Sequence, residues 1–158
     1  MSDQQAITGG CLCGSVRYRV TGSVLWCSHC HCSYCRAAHG AALVTWFGIQ
    51  EHDFMLESGK DSIRWYPSSQ WSRRGFCPEC GTSLFFQSRQ SPGQMHVALA
   101  TTDPGSGIRP TAHVFYDRHV GWLETCDELP RIDSGSETLA AYRQIPVLNA
   151  EQKEPSDD

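Results

Sequence analysis

The sequence predicts an all-β fold with minor α content, built from short antiparallel strands and hairpins around bound metal. Three observations lead there. Apolar runs of three to seven residues recur along the 158-residue chain, separated by Gly, Pro and Ser rather than by helical periodicity. Sustained helical patterning is confined to a short stretch near the C-terminus. Nine cysteines, well above ordinary usage and odd in number, gather in tight groups instead of spreading as a disulfide framework.

The elements follow in order. Val16, Tyr18 and Val20 alternate with Arg17 and Arg19, the period-two pattern of a half-buried strand, which Thr21-Gly22 ends. Residues 41–47 form a second, more buried strand. Phe54-Met55-Leu56 and Ile63-Arg64-Trp65-Tyr66 flank Ser58-Gly59-Lys60-Asp61, the pattern of a hairpin with a turn of several residues. Strands at 84–86, 95–100 and 112–116 complete the set, with Gln90-Ser91-Pro92-Gly93 and Asp103-Pro104-Gly105-Ser106-Gly107 as loops. Ser134 and Glu137 have capping-box spacing ahead of residues 138–143, which predicts a short C-terminal helix. Residues 151–158 are polar and acidic, the composition of a frayed tail. The expected division is a zinc-binding domain over 1–133 and a helix with a flexible acidic tail over 134–158.

Composition narrows the function classes. Thirteen Lys plus Arg against 17 Asp plus Glu leave a formal charge of -4, which argues against a nucleic-acid partner, because such binding rests on neutralising phosphates. No apolar run approaches the ~18 residues of a membrane-spanning helix, and the polar start Met1-Ser2-Asp3-Gln4-Gln5 lacks an export signal. A cytoplasmic protein without membrane attachment is expected. In that reducing compartment, the cysteines are expected to bind metal or to act in catalysis.

Eight of the nine cysteines fall into three groups: Cys11 and Cys13; Cys27, Cys30, Cys32 and Cys35; Cys77 and Cys80. Cys77-Pro78-Glu79-Cys80-Gly81 holds two adjacent corners of a tetrahedral ion on a turn preset by Pro and released by Gly. Cys11-Leu12-Cys13 can supply the other two, making a closed four-thiolate structural site that clamps the N-terminal hairpin to the middle of the chain. Cys30, Cys32 and Cys35 supply three thiolates within six residues and leave a corner open, as catalytic zinc sites do. Cys27 could close that corner and turn the second site into another structural one. A redox dithiol would need a βαβ context that the chain lacks, and the spacings differ from common iron-sulfur patterns. The isolated Cys126 reads as a small buried hydrophobe.

Among the seven histidines, His29 and His31 lie inside the cysteine run, and His96 and His113 on strands. His31 or His113, or a bound water, could move a proton beside the open corner. The chain is rich in Arg and has only Lys60 and Lys153 as lysines, so Arg36, Arg64, Arg73, Arg74 and Arg118 are candidates for paired contacts with carboxylates of an anionic substrate.

These residues resemble a known family. Gly10-Cys11-Leu12-Cys13-Gly14, Cys30-His31-Cys32-Ser33-Tyr34-Cys35-Arg36 with Gly40, and Arg74-Gly75-Phe76-Cys77-Pro78-Glu79-Cys80-Gly81 are similar to motifs of the glutathione-dependent formaldehyde-activating enzymes, which include the centromere protein V domain. The resemblance runs from about Gly9 to Asp133 and takes in His113-Val114-Phe115 and Glu128-Leu129-Pro130-Arg131. It implies a β-tent fold with two zinc ions per chain, a structural one at Cys11, Cys13, Cys77 and Cys80 and a catalytic one at Cys30, Cys32 and Cys35. The implied activity is that of a carbon-sulfur lyase joining and parting glutathione and formaldehyde as S-(hydroxymethyl)glutathione. Cys27 departs from the three-ligand pattern. The alternative is a non-catalytic, zinc-stabilised binding module with two structural sites.

Overall fold

The computed structural model describes residues 6–142. It is mostly β, with eleven short strands among the described residues and one α-helix. The chain divides into two compact units, the first formed by Met1–Ser28 and Thr45–Thr111, the second by His29–Val44 and Ala112–Asp158.

In the first unit, β1 (Ile7–Gly10), β2 (Arg17–Val20) and β5 (Phe54–Ser58) form an antiparallel sheet in the order β1-β2-β5. A second run is ordered β3-β4-β9-β8-β7-β6, with β3 at Trp26–Cys30, β4 at Val44–Gln50, β6 at Arg64–Pro67, β7 at Ser72–Phe76, β8 at Ser83–Ser88 and β9 at Gln94–Ala98. The alternation read in β2 sets its faces: Tyr18 and Val20 are buried, while Arg17 ion-pairs with Asp103 and Arg19 donates to Glu57 at 2.6 Å. Tyr18 meets Phe85 edge-on at 5.6 Å, and Phe47, Ile49, Leu84, Met95 and Val97 complete the core. Each such side chain contributes roughly 1.5–3 kcal/mol on burial.

The expected hairpin across Ser58-Gly59-Lys60-Asp61 is absent. β5 pairs with β2 and β6 pairs with β7, so the two strands leave the turn for different sheets. Gly59 makes this exit possible with φ +79° and its carbonyl accepts from the amides of Ser62 and Ile63. β7 escapes an apolar-pattern reading because Arg73 and Arg74 fill it. Their guanidinium groups lie over Trp65 at 4.4 Å and Phe86 at 4.8 Å, doing with cation-π contact what apolar side chains do elsewhere.

In the second unit, β10 (His113–Val114) runs parallel to the end of β3, His113 opposite His29 and Val114 opposite Cys30, and parallel to β11 (Arg131–Ile132) on its other side. These parallel pairs depart from the all-antiparallel expectation. The strand expected over 112–116 stops early because Phe115 adopts a left-handed conformation, φ 54°. Helix α1 (Ser33–His39), which the sequence reading did not anticipate, begins at Cys32: its sulfur accepts from the amide of Cys35 at 3.3 Å, and Gly40 ends the helix at φ 58°.

The expected C-terminal α-helix is not found over the described residues. Residues 137–142 form two short 3-10 turns that meet at Leu139, whose φ is -105°. Ser134 does not cap them, because its amide and hydroxyl bond to Asp117; the Ser136 hydroxyl accepts from Thr138 instead. The rest of that stretch, Arg143 onward, and the expected tail lie outside the described residues. No helix among the described residues is long and apolar enough to cross a membrane.

Candidate metal centres

Two matching turns build the first centre within the first unit. Cys11 donates its amide to Val16 and accepts at its carbonyl from Gly14; Cys77 does the same with Thr82 and Gly81. Both glycines have positive φ, 80° and 74°, a conformation that strains other residues. The turns are joined where the Leu12 amide donates to the Thr82 hydroxyl at 3.1 Å. Cys11, Cys13, Cys77 and Cys80 thereby bring four sulfurs within 4.8 Å of one another.

The sulfur spacings fit zinc. With bonds of about 2.3 Å, the edge of a tetrahedron of thiolates is about 3.8 Å, and Cys11 lies 3.5 Å from Cys13 and Cys13 lies 3.8 Å from Cys77. A disulfide would bring sulfurs to about 2.05 Å, and all these cysteines are free. The polar surroundings favour thiolate at Cys80, where the Thr82 hydroxyl and amide draw the thiol down to about 5; at Cys13 the downward pull of Ser15 is outweighed by Cys11, burial and Cys80, and the net shift is upward. At Cys11, burial acts upward, but bonds from the Val16 amide and the Ser15 hydroxyl prevail and the net shift is downward.

The second centre belongs to the second unit. Cys30 ends β3, Cys32 caps α1 and Cys35 lies in its first turn, so a strand end and a helix start converge three sulfurs within 4.8 Å. Cys30 and Cys35 are 3.6 Å apart, again close to a tetrahedral edge. Its electrostatics differ from those at Cys80 and Cys11. Hydrogen bonding to Cys32 and Cys35, then burial, raise the Cys30 thiol well above its usual range, and Cys32 is pushed up to about 12, where a favourable bond from Cys30 is outweighed by Cys35 and burial. A bound cation would favour ionisation of the raised Cys30 and Cys32 thiols.

Cys27 is not part of either compact sulfur set. Three residues before Cys30 on β3, it points to the opposite strand face; it belongs to the apolar core of the first unit, where burial raises its thiol to about 11. Cys126 is exposed, against the expectation of a buried hydrophobe.

His31, between Cys30 and Cys32 in the sequence, begins a chain of imidazoles. The Nε2 of His31 lies 2.8 Å from Nδ1 of His113, whose Nε2 lies 3.0 and 3.1 Å from the two carboxylate oxygens of Asp127. The Leu129 amide, ahead of opposing desolvation and of His113, holds the Asp127 carboxyl below its ordinary range. His31 and His113 are 2% and 0% exposed. Burial first, then His113, His119, His29 and Arg36, push His31 down to about 4. Sequence reading placed His31 and His113 as candidates but missed Asp127, because an acidic residue in an irregular loop looks like solvated surface.

Four of the five arginine candidates have settled contacts within the protein. Arg36 donates to the His31 carbonyl at 3.1 Å, Arg73 bonds Gln87, Arg74 is buried over Phe86, and Arg118 bonds Asp117; Arg64 is exposed on β6. His96 lies against Trp26 and Phe86 in the first unit.

A model of the glutathione-dependent formaldehyde-activating enzyme family matches residues 6–118. The chain belongs to that family. The matched span of this glutathione-dependent formaldehyde-activating family includes both sulfur sets and His113, and stops short of Asp127. The chain is 30% identical over 78 residues to an uncharacterized lyase of Schizosaccharomyces pombe, a match covering 49% of this chain and 55% of that protein, so it spans about half of the relative's length. A crystal structure of a Rhodobacter sphaeroides protein superposes with a TM-score of 0.50 at 25% identity, covering 65% of this chain and 91% of that one.

Proposed function

We propose that the protein is a zinc-dependent carbon-sulfur lyase acting on glutathione, or a related thiol, and its aldehyde adduct, in S-(hydroxymethyl)glutathione-type chemistry. The observation that carries this reading is the make-up of the second sulfur set: three protein donors, with Cys27 turned away. Membership of the formaldehyde-activating family and the lyase name of the S. pombe relative support the same class. Cys11, Cys13, Cys77 and Cys80 would hold a structural zinc, and Cys30, Cys32 and Cys35 a second one.

Bound at the three-sulfur set, zinc would supply Lewis acidity and a fourth corner suited to a substrate thiolate. The residues around it do the rest. Cys30, Cys32 and Cys35 are fixed by β3 and by the α1 cap, so the donors are preorganised before substrate arrives. In adduct breakdown the carbon-sulfur bond yields its electron pair to sulfur, the oxygen-hydrogen pair becomes the second carbonyl bond, and the hydroxyl proton passes to water. Joining is the reverse.

Exchange of glutathione and formaldehyde with S-(hydroxymethyl)glutathione, followed by NMR exchange spectroscopy, tests the reading. Purified zinc-loaded protein is expected to accelerate exchange beyond the spontaneous rate, and Cys35→Ser to abolish the acceleration. Spontaneous rates in the presence of two bound ions would instead favour a zinc-stabilised binding module.

A further inference from the structure

Two hydroxyls face the sulfurs of the first centre. Its turns repeat one triplet, Cys13-Gly14-Ser15 and Cys80-Gly81-Thr82, so each second cysteine is followed two residues later by a hydroxyl. The Ser15 hydroxyl lies 3.0 Å from the Cys13 sulfur, 3.4 Å from that of Cys77 and 3.6 Å from that of Cys11. It thereby rests against one face of the sulfur set and touches both turns. The Thr82 hydroxyl lies 3.2 Å from the Cys80 sulfur and accepts from the Leu12 amide, which leaves its own proton for the sulfur.

The two shortest of these contacts fall where water reaches. Cys13 is exposed and Cys80 half-buried, whereas Cys11 and Cys77 are buried. Ser15 is held from outside its turn: its carbonyl accepts from the Ser58 hydroxyl at 3.1 Å, and the chain passes so close at Gly59 that a Cβ there would come 2.6 Å from that carbonyl oxygen. A fixed backbone therefore presents the hydroxyl to the sulfurs.

Four thiolates outweigh one divalent ion, so a zinc-loaded set is an anion whose sulfurs stay nucleophilic. A zinc-bound thiolate has no proton to give, and the hydroxyls must donate. Such a charge-assisted bond draws electron density from sulfur, and nucleophilicity falls with basicity. We infer that Ser15 and Thr82 guard the four-sulfur set: their hydroxyl bonds to Cys13 and Cys80 hold down the reactivity of the two solvent-reached thiolates toward carbon electrophiles, aldehydes and alkyl halides among them. The attack they oppose forms a carbon-sulfur bond from the sulfur's electron pair. With an aldehyde, the carbonyl pair passes to oxygen, which takes a proton from water; with an alkyl halide, the halide leaves with its bonding pair. Either way a thiolate becomes a thioether, a poorer donor, and the ion is loosened. The inference rests on the structural-zinc part of the proposed function and not on turnover at the three-sulfur set.

Site-resolved alkylation of the full, zinc-loaded chain by iodoacetamide, read by peptide mass spectrometry, tests it. Ser15→Ala, still carrying two zinc ions, is expected to react at Cys13 roughly fivefold faster than the wild type, the scale of one lost hydrogen bond, with Cys80 unchanged. Ser15→Thr keeps the hydroxyl and should restore the slow rate. Thr82→Val and Thr82→Ser should mirror this pair at Cys80. Cadmium NMR of the cadmium-substituted chain adds a readout that solvent access does not move: the four-sulfur resonance is expected to shift in Ser15→Ala and to return in Ser15→Thr. Wild-type Cys13 reactivity in Ser15→Ala would overturn the inference, as would faster alkylation of all four cysteines together, the mark of a loosened turn. A wild-type chain with no ion at the four-sulfur set would overturn the structural-zinc reading and the guard with it. Spontaneous adduct exchange beside a guarded set would defeat the lyase reading alone.

Discussion

The two sulfur sets use the same donor atom and teach different lessons. At Cys11, Cys13, Cys77 and Cys80 two copies of one turn face each other, hydroxyls and amides surround the sulfurs, and the donor count is four. At Cys30, Cys32 and Cys35 a strand end meets a helix cap, the thiols crowd one another in a buried place, and the count is three. A set of four with its own polar support suits an ion whose binding energy is folding energy. A set of three, raised in proton affinity until a cation arrives, suits an ion that must also meet a substrate. The difference lies in the local backbone and not in the residue type.

The largest way to break this contrast is Cys77→Ser. It removes a donor that is fully buried in the first unit's core, and the expected outcome is loss of one zinc ion and most of a binding energy on the order of 10 kcal/mol, read as a collapse of chemical-denaturation stability. Unchanged stability would show that the first set is not structural. Cys35→Ser should likewise cost one zinc ion and all catalysed adduct exchange, yet move the unfolding midpoint by less than half as much; an equal loss of stability would erase the distinction.

Cys27→Ala sharpens the comparison at smaller scale. Because Cys27 lies in the core and outside both sets, the variant should keep two zinc ions and wild-type exchange, and lose only about 1 kcal/mol from the small cavity. Loss of an ion, counted by mass spectrometry of the native protein, would make the second set closed.

The smallest effect is expected from pH. Asp103 is held at about 2 by Arg17, with help from the Thr8 hydroxyl at 2.6 Å. Its unfolded value is near 3.9, so the depressed folded pKa adds stability that is complete above about pH 4 and fades as pH falls toward 2. Urea midpoints across that window should fall in the wild type and fall less steeply in Asp103→Asn. Equal slopes would remove Asp103 from the acid response of the first unit.

Much of this was legible in the sequence. The alternation of Val16, Tyr18 and Val20 announced β2 and its faces, and the cysteine spacings announced a set of four and a second set of three or, with Cys27, four, which the fold brings together as three. What escaped depends on partners distant in sequence. The turn at Gly59 looks like a hairpin locally, but β2 and β7 compete for the strands on either side of it. Helix α1 is too short to show a periodicity, and its cap is a cysteine, a residue that reads first as a metal donor. Asp127 has no local signature at all, and only the fold carries it to His113, fourteen residues away.

The most direct measurement is a crystal structure of the zinc-loaded chain with glutathione. The expected result is an ion held by Cys30, Cys32 and Cys35, with the tripeptide's sulfur as fourth donor at about 2.3 Å. A fourth donor from the polypeptide, with glutathione elsewhere or absent from the complex, would contradict it.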